Sequence, residues 1–148
     1  MPNSNVKNIS SLVHLSTFAR FIFPFGNFVA PIIIWSINKD KSSFIDNHGK
    51  AIINFQLSLL IYTFFLALIS VPLLVFGVFN RFHILSDSGI NQFNIDFSEP
   101  STLLYFGGVI GGFAIIGFVL ELLLIILASL KAREGELYNY PLTIKFIK

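Results

Sequence analysis

An all-α, small polytopic helical membrane protein is the fold class this sequence predicts. Of its 148 residues 54% are hydrophobic and only 12% charged, about half the charged share of an ordinary soluble domain. Mean hydropathy is +0.75, and the apolar residues run in helix-length stretches. Lysine and arginine gather in the breaks between those stretches, as they do beside membrane-spanning helices. The length fits one helical membrane domain over 1–148, with segments at 11–23, 28–38, 49–79 and 103–131, an outer loop at 80–101 and an interfacial tail at 132–148.

The first apolar stretch, Ser11 to Ile37, is broken by Phe23, Pro24, Phe25, Gly26 and Asn27. Pro24 disfavours helix at Phe23, Gly26 relaxes the backbone, and Asn27 can accept from the first free amides of a new helix. Pro31 then falls in the first turn of the second helix, where a missing donor is tolerated. Residues 12–23 reach roughly 18 Å and residues 28–38 roughly 16 Å, against a hydrocarbon core of about 30 Å. Two short helices result, and they form either a hairpin that enters and leaves on one side or a single kinked crossing. Trp35 and Lys39 give the second half an aromatic and basic border at the membrane surface. Residues 1–11 are polar and no small-residue cleavage site follows, so the apolar segments are expected to be retained structure.

Residues 39–50 form a polar loop carrying Lys39, Lys41 and Lys50, with Asp46 as the cap of the next helix. Gly49 to Phe79 is apolar for longer than the roughly 20 residues a crossing needs, and Pro72 should kink it near its far end. Its polar residues fall on two faces. Asn47, Ala51, Asn54, Ser58 and Tyr62 recur at spacings of three and four, whereas Gln56, Thr63 and Ser70 lie elsewhere. Neighbours therefore press on this helix from two sides, and hydrogen bonding between helices is the expected role. His48, beside Gly49 in the loop, is expected to be solvated at the surface.

Leu103 to Leu130 is the second long crossing. Gly107, Gly108, Gly111 and Gly112 make two overlapping pairs at spacing four, a pattern that lets helices approach closely where lipid supplies no hydrophobic drive. Projected on a helix, Gly107, Gly111, Ala114, Phe118, Glu121, Ile125 and Ala128 share one stripe. Glu121 lies roughly 15 Å inside the Lys131 end, where an ionised carboxylate needs a proton, a partner or a wet cavity. It either pairs with Arg20, Asn27 or a polar group of the middle helix, or handles a proton, ion or substrate. The candidate intramembrane polar residues are Arg20, Asn27, Asn54, Gln56 and Glu121.

Charge placement sets topology. Lys39, Lys41 and Lys50 flank one loop, Arg81 stands alone in the next, and Lys131, Arg133, Lys145 and Lys148 mark the tail. By the positive-inside rule the first loop and the tail face the cytoplasm, and a hairpin would put Lys7 there too. In the tail, Gly135 is suited to a left-handed helix cap, and Tyr138 and Tyr140 to the headgroup layer. After Pro141, Leu142, Ile144 and Phe146 alternate with Thr143 and Lys145. This pattern suits a surface anchor whose lysines reach anionic lipid, a segment packed beneath the bundle, or a docking strand for a cytoplasmic partner.

With no cysteine there is no disulfide or thiolate chemistry, and His14, His48 and His83 show no ligand spacing. No metal, cofactor or nucleic-acid partner is expected. No nucleophile with a base and no phosphate loop stands in either polar loop, so an enzyme is not expected.

The segment from Val13 to Tyr62 and the tail LKAREGELYNYPLTIKFIK resemble a bacterial family of small multi-pass proteins of unassigned function. That family is grouped with the Tic-twenty-like superfamily of the chloroplast inner-envelope translocon. The residues carrying the resemblance are the break from Phe23 to Asn27, Pro31 with Trp35, His48 and Gly49 followed by Asn54, Phe55 and Gln56, and Gly135 and Glu136 through Tyr140 and Pro141. It implies a helical unit of the bacterial plasma membrane with both termini cytoplasmic. The function expected is a non-enzymatic packing or accessory component, in contact with lipid and with other membrane proteins or a second copy. The alternative is a small channel or carrier using Glu121, Arg20 and the break at Pro24 to Asn27.

Overall fold

The computed structural model describes residues 2–87 and 102–148, and it is all-helical, with no strand among the described residues. Helix α1 spans Ser4–Leu15 and continues as a 3₁₀ segment, Ser16–Phe21. Helix α2 spans Gly26–Asn38, α3 Ser43–Asp87 and α4 Thr102–Glu134. Within α3 and α4, Ser43–Leu73 and Gly107–Glu134 are long and apolar enough to cross a membrane. The part of the expected outer loop beyond Asp87, up to Ser101, lies outside the described residues.

Local chemistry moves several boundaries. The Asn3 side chain accepts from Val6 N at 2.9 Å, so α1 is capped there and starts at Ser4, seven residues before its expected start. Helix α3 begins at Ser43, and most of the expected loop 39–50 is therefore helix. Ser42 Oγ accepts from Phe44 N at 3.2 Å, while Asp46 sits inside the first turn, accepting from Trp35 Nε1 at 2.9 Å and pairing with Lys50 at 2.6 Å. At the start of α2 the cap is Phe25, in the left-handed region at φ 62°, with no side-chain hydrogen bond. Asn27 is not the cap. Pro31 falls in the second turn of α2, one turn deeper than expected. Helix α3 stays helical through Pro72.

The chain divides into two compact units, 1–61 with 119–148, and 62–118. In the first, α2 folds back on α1 and its 3₁₀ extension, so the hairpin is the arrangement found. Gly26 is why the hairpin closes: a Cβ there would overlap the backbone of Ala19. Gly49 plays the same part for α2 against α3, since a Cβ would run into the Trp35 ring. Helix α1 runs antiparallel to α4, with Lys7 Nζ donating to the Glu134 carbonyl at 3.2 Å and Ser11 Oγ 2.7 Å from Ser129 Oγ. The interior of this unit mixes Val13, Ile52, Ile53, Phe55, Ile125 and Ala128 with as many polar groups, among them His14, Thr17, Gln56 and Glu121. Leu12, Ile22, Phe25 and Ile33 face outward. Buried polar groups inside an apolar exterior suit lipid, where hydrogen bonds must be made within the protein.

The second unit is built from the continuation of α3 and the first half of α4. Its described side chains Phe64, Phe65, Leu68, Ile69, Val109, Phe113 and Ile115 are exposed. Nothing among the described residues comes within 4 Å of a Cβ built on Gly107, Gly108, Gly111, Gly112 or Gly117.

Candidate functional site

Four elements each bring one polar side chain to the middle of the first unit. Arg20 comes from the 3₁₀ segment, Asn27 from the first turn of α2, Gln56 from α3 and Glu121 from α4. Asn27 Nδ2 donates to Gln56 Oε1 at 2.8 Å, and Gln56 Nε2 donates to Glu121 Oε1 at 3.1 Å. The other carboxylate oxygen of Glu121 lies 2.8 Å from Arg20 Nη1. Glu121 is 8% exposed, and both its oxygens are engaged, which is what a charge in a low-dielectric interior requires. Gln56 links the pair to the hairpin by using its oxygen and its nitrogen in opposite directions.

Asn54, also singled out by sequence, belongs to a different cluster. Its Oδ1 accepts from Phe146 N at 3.1 Å and Ile147 N at 2.8 Å, and its Nδ2 donates to the Ile147 carbonyl at 2.9 Å. One turn on, Ser58 Oγ accepts from Ile144 N at 2.9 Å. The polar stripe of α3 thus serves as the hydrogen-bonding partner of the tail backbone, while Gln56 on the other face serves the buried ion pair. Gly135, at φ 91°, ends α4, its N–H and that of Glu136 returning to Ala132 and Lys131. This left-handed cap sends the tail back beneath the helices.

A third cluster was not anticipated. Tyr140 O–H lies 2.9 Å from His14 Nδ1, and His14 Nε2 lies 2.8 Å from His48 Nδ1. His48 is 1% exposed and Tyr140 6%, so neither the solvated histidine nor the tyrosine at the headgroups is found. Tyr140 stacks on Phe55 with centroids 4.2 Å apart, and Phe44 meets His48 edge-on. Burial, reinforced by Tyr138 and Glu121, holds the Tyr140 phenol well above its ordinary range, so it keeps its proton. The distances admit two proton orders, Tyr140 to His14 to His48 or the reverse, each with both rings neutral. His48 Nε2 is buried with no hydrogen-bond partner among the described residues. The available signal was the spacing of Ser10 and His14 in α1 and Thr17 in its 3₁₀ extension, all of them buried. Among the described residues no three His, Asp or Glu side chains gather as metal ligands.

These features define a multi-pass helical membrane protein whose hydrogen-bonding groups are turned inward. Residues 5–147 match the magnetosome magnetite crystal formation protein family (MamF/MmsF), and the chain belongs to that family. No curated protein and no solved structure matches it. Membership overturns the resemblance to the Tic-twenty-like superfamily. The residues behind that resemblance are the ones that shape the first unit: Gly26 closes the hairpin, Gly49 seats α2 on α3, Asn54 holds the tail, and Gln56 reaches the ion pair. They mark a packing solution and carry no information about protein import.

Proposed function

We propose that the chain is a non-enzymatic structural component of the magnetosome membrane, organising other membrane proteins while magnetite crystals form. The family match over residues 5–147 carries this reading. The buried chemistry supports it. Glu121, the group a carrier would use, has its two oxygens taken by Arg20 and Gln56, and exchanging those partners would leave a buried charge uncompensated. The glycine face of α4, with no described atom within 4 Å, offers a surface on which another helix can seat. In this reading the lysine-bearing end of the first unit faces the cytoplasm.

The test is complementation in a magnetite-forming bacterium deprived of its own family members. Tagged chain should fractionate with the magnetosome membrane and restore crystal dimensions in electron micrographs. Recovery of the tag only in the plasma membrane, with crystals unchanged, would reject the proposal. Liposomes reconstituted with the purified chain should pass no more ions than empty vesicles, and flux abolished by Glu121→Gln would favour the carrier instead.

A further inference from the structure

The tail and α3 residues 47–54 line an open cavity of about 620 Å³. Lys50, Lys145 and Lys148 stand in its wall with the hydrogen-bonding side chains of Asn47, Tyr138 and Thr143, and no carboxylate side chain is among its lining residues. Lys50 is paired with Asp46 at 2.6 Å, so the charge available to a ligand comes from the tail lysines. The backbone that carries Lys145 is held in place, because Asn54 and Ser58 fix the amides of Ile144, Phe146 and Ile147 on either side of it, and both lysines are exposed to a ligand.

The cavity lies where α3 changes from Asn47–Lys50 to the apolar run beginning Ala51-Ile52-Ile53, which is the level of lipid head groups if α3 spans the bilayer. Its wall is partly apolar, through Ala51 and Leu137. The tail also carries Leu142, 85% exposed, with Ile144 and Phe146 exposed beyond it. A free anion has no use for such surroundings. A phospholipid does, since its phosphate can meet the lysines while its glycerol and acyl chains lie against apolar side chains.

We propose that this cavity binds the head group of an anionic phospholipid, with Lys145 and Lys148 holding the phosphodiester and the hydroxyls of Tyr138 and Thr143 completing the site. The occupied site ties the tail to the bilayer and is independent of any assembly role.

The experiment is native mass spectrometry of the full chain in mild detergent, titrated with phosphatidylglycerol or phosphatidylcholine. Phosphatidylglycerol should stay bound and phosphatidylcholine should not. The double variant K145Q/K148Q should weaken phosphatidylglycerol retention roughly 30-fold, at about a factor of five per lysine. K145R/K148R should restore it. K41Q/R133Q removes the same charge from side chains outside the cavity and should leave retention unchanged. Equal loss in K145Q/K148Q and K41Q/R133Q would show a diffuse surface effect and overturn the site. So would equal retention of the two lipids, or displacement of phosphatidylglycerol by inorganic phosphate, which would reassign the cavity to a free anion.

Discussion

One stripe of α4 behaves in two ways. In the first unit its Glu121, Ile125 and Ala128 are buried, whereas in the second its Ala114 and Phe118 are exposed and Gly107 and Gly111 meet no described atom. Both parts are apolar enough to lie in a membrane. The difference lies in hydrogen-bonding groups. The first unit must satisfy Ser11, His14, Asn27, Asn54, Gln56, Arg20 and Glu121, and in lipid only other protein groups can do so. The second unit's described surface is mostly hydrocarbon, which lipid solvates as well as a neighbouring helix would. Polar residues, not hydrophobic ones, decide where this chain packs on itself.

The largest effect should therefore come from opening the ion pair. Glu121→Ala removes the carboxylate 2.8 Å from Arg20 Nη1, a loss of about 3–5 kcal/mol by analogy with other buried pairs broken on one side. Replacing both partners, as in Arg20→Met with Glu121→Leu, should recover most of that loss, because two charges no longer need each other. Thermal unfolding in detergent of the two single variants and the double reads the cycle. A double variant as unstable as Glu121→Ala would mean that the pair does not hold the first unit together.

A smaller effect is expected at Asn54, whose amide makes three hydrogen bonds to the tail backbone. Asn54→Ala should cost about 1–3 kcal/mol, concentrated in the tail. Hydrogen exchange at the Phe146 and Ile147 amides should accelerate at least tenfold while the amides of α4 near Ile125 keep their protection. Unchanged exchange at Phe146 and Ile147 would show that the tail is held by Ser58 and by Tyr140 with its stacking on Phe55, without Asn54.

What the sequence disclosed follows the same division. A charge in an apolar run is rare, so Arg20 and Glu121 announced themselves, and the two-sided polar pattern of α3 separated Asn54 from Gln56 before any partner was known. The hairpin was half legible: the Pro24 to Asn27 break forces two helices, but only the closeness of Gly26 to Ala19 chooses folding back over crossing. The histidine cluster was hidden because its third member, Tyr140, arrives through a reversal of the tail at Gly135. Backbone amides such as that of Ile147 carry no side-chain signature, so the partner of Asn54 could not be read either. Helix ends shifted where the polar residues of 43–50 proved compatible with helix once Trp35 and Lys50 engaged Asp46.

The smallest effect on the isolated chain, and the sharpest test of the contrast, is Gly111→Leu. No described atom lies within 4 Å of the added Cβ, so unfolding of the monomer should change by less than about 0.5 kcal/mol. If the glycine face seats a second helix, the same substitution should abolish in-membrane crosslinking between this chain and its neighbour, because the added side chain holds the two backbones apart. Loss of crosslinking at unchanged stability would assign the two parts of α4 to different tasks, one internal and one between proteins. Crosslinking that survives Gly111→Leu would leave the glycines as lipid-facing residues and move the search for the contact to the exposed face of α3 that carries Phe64 and Leu68.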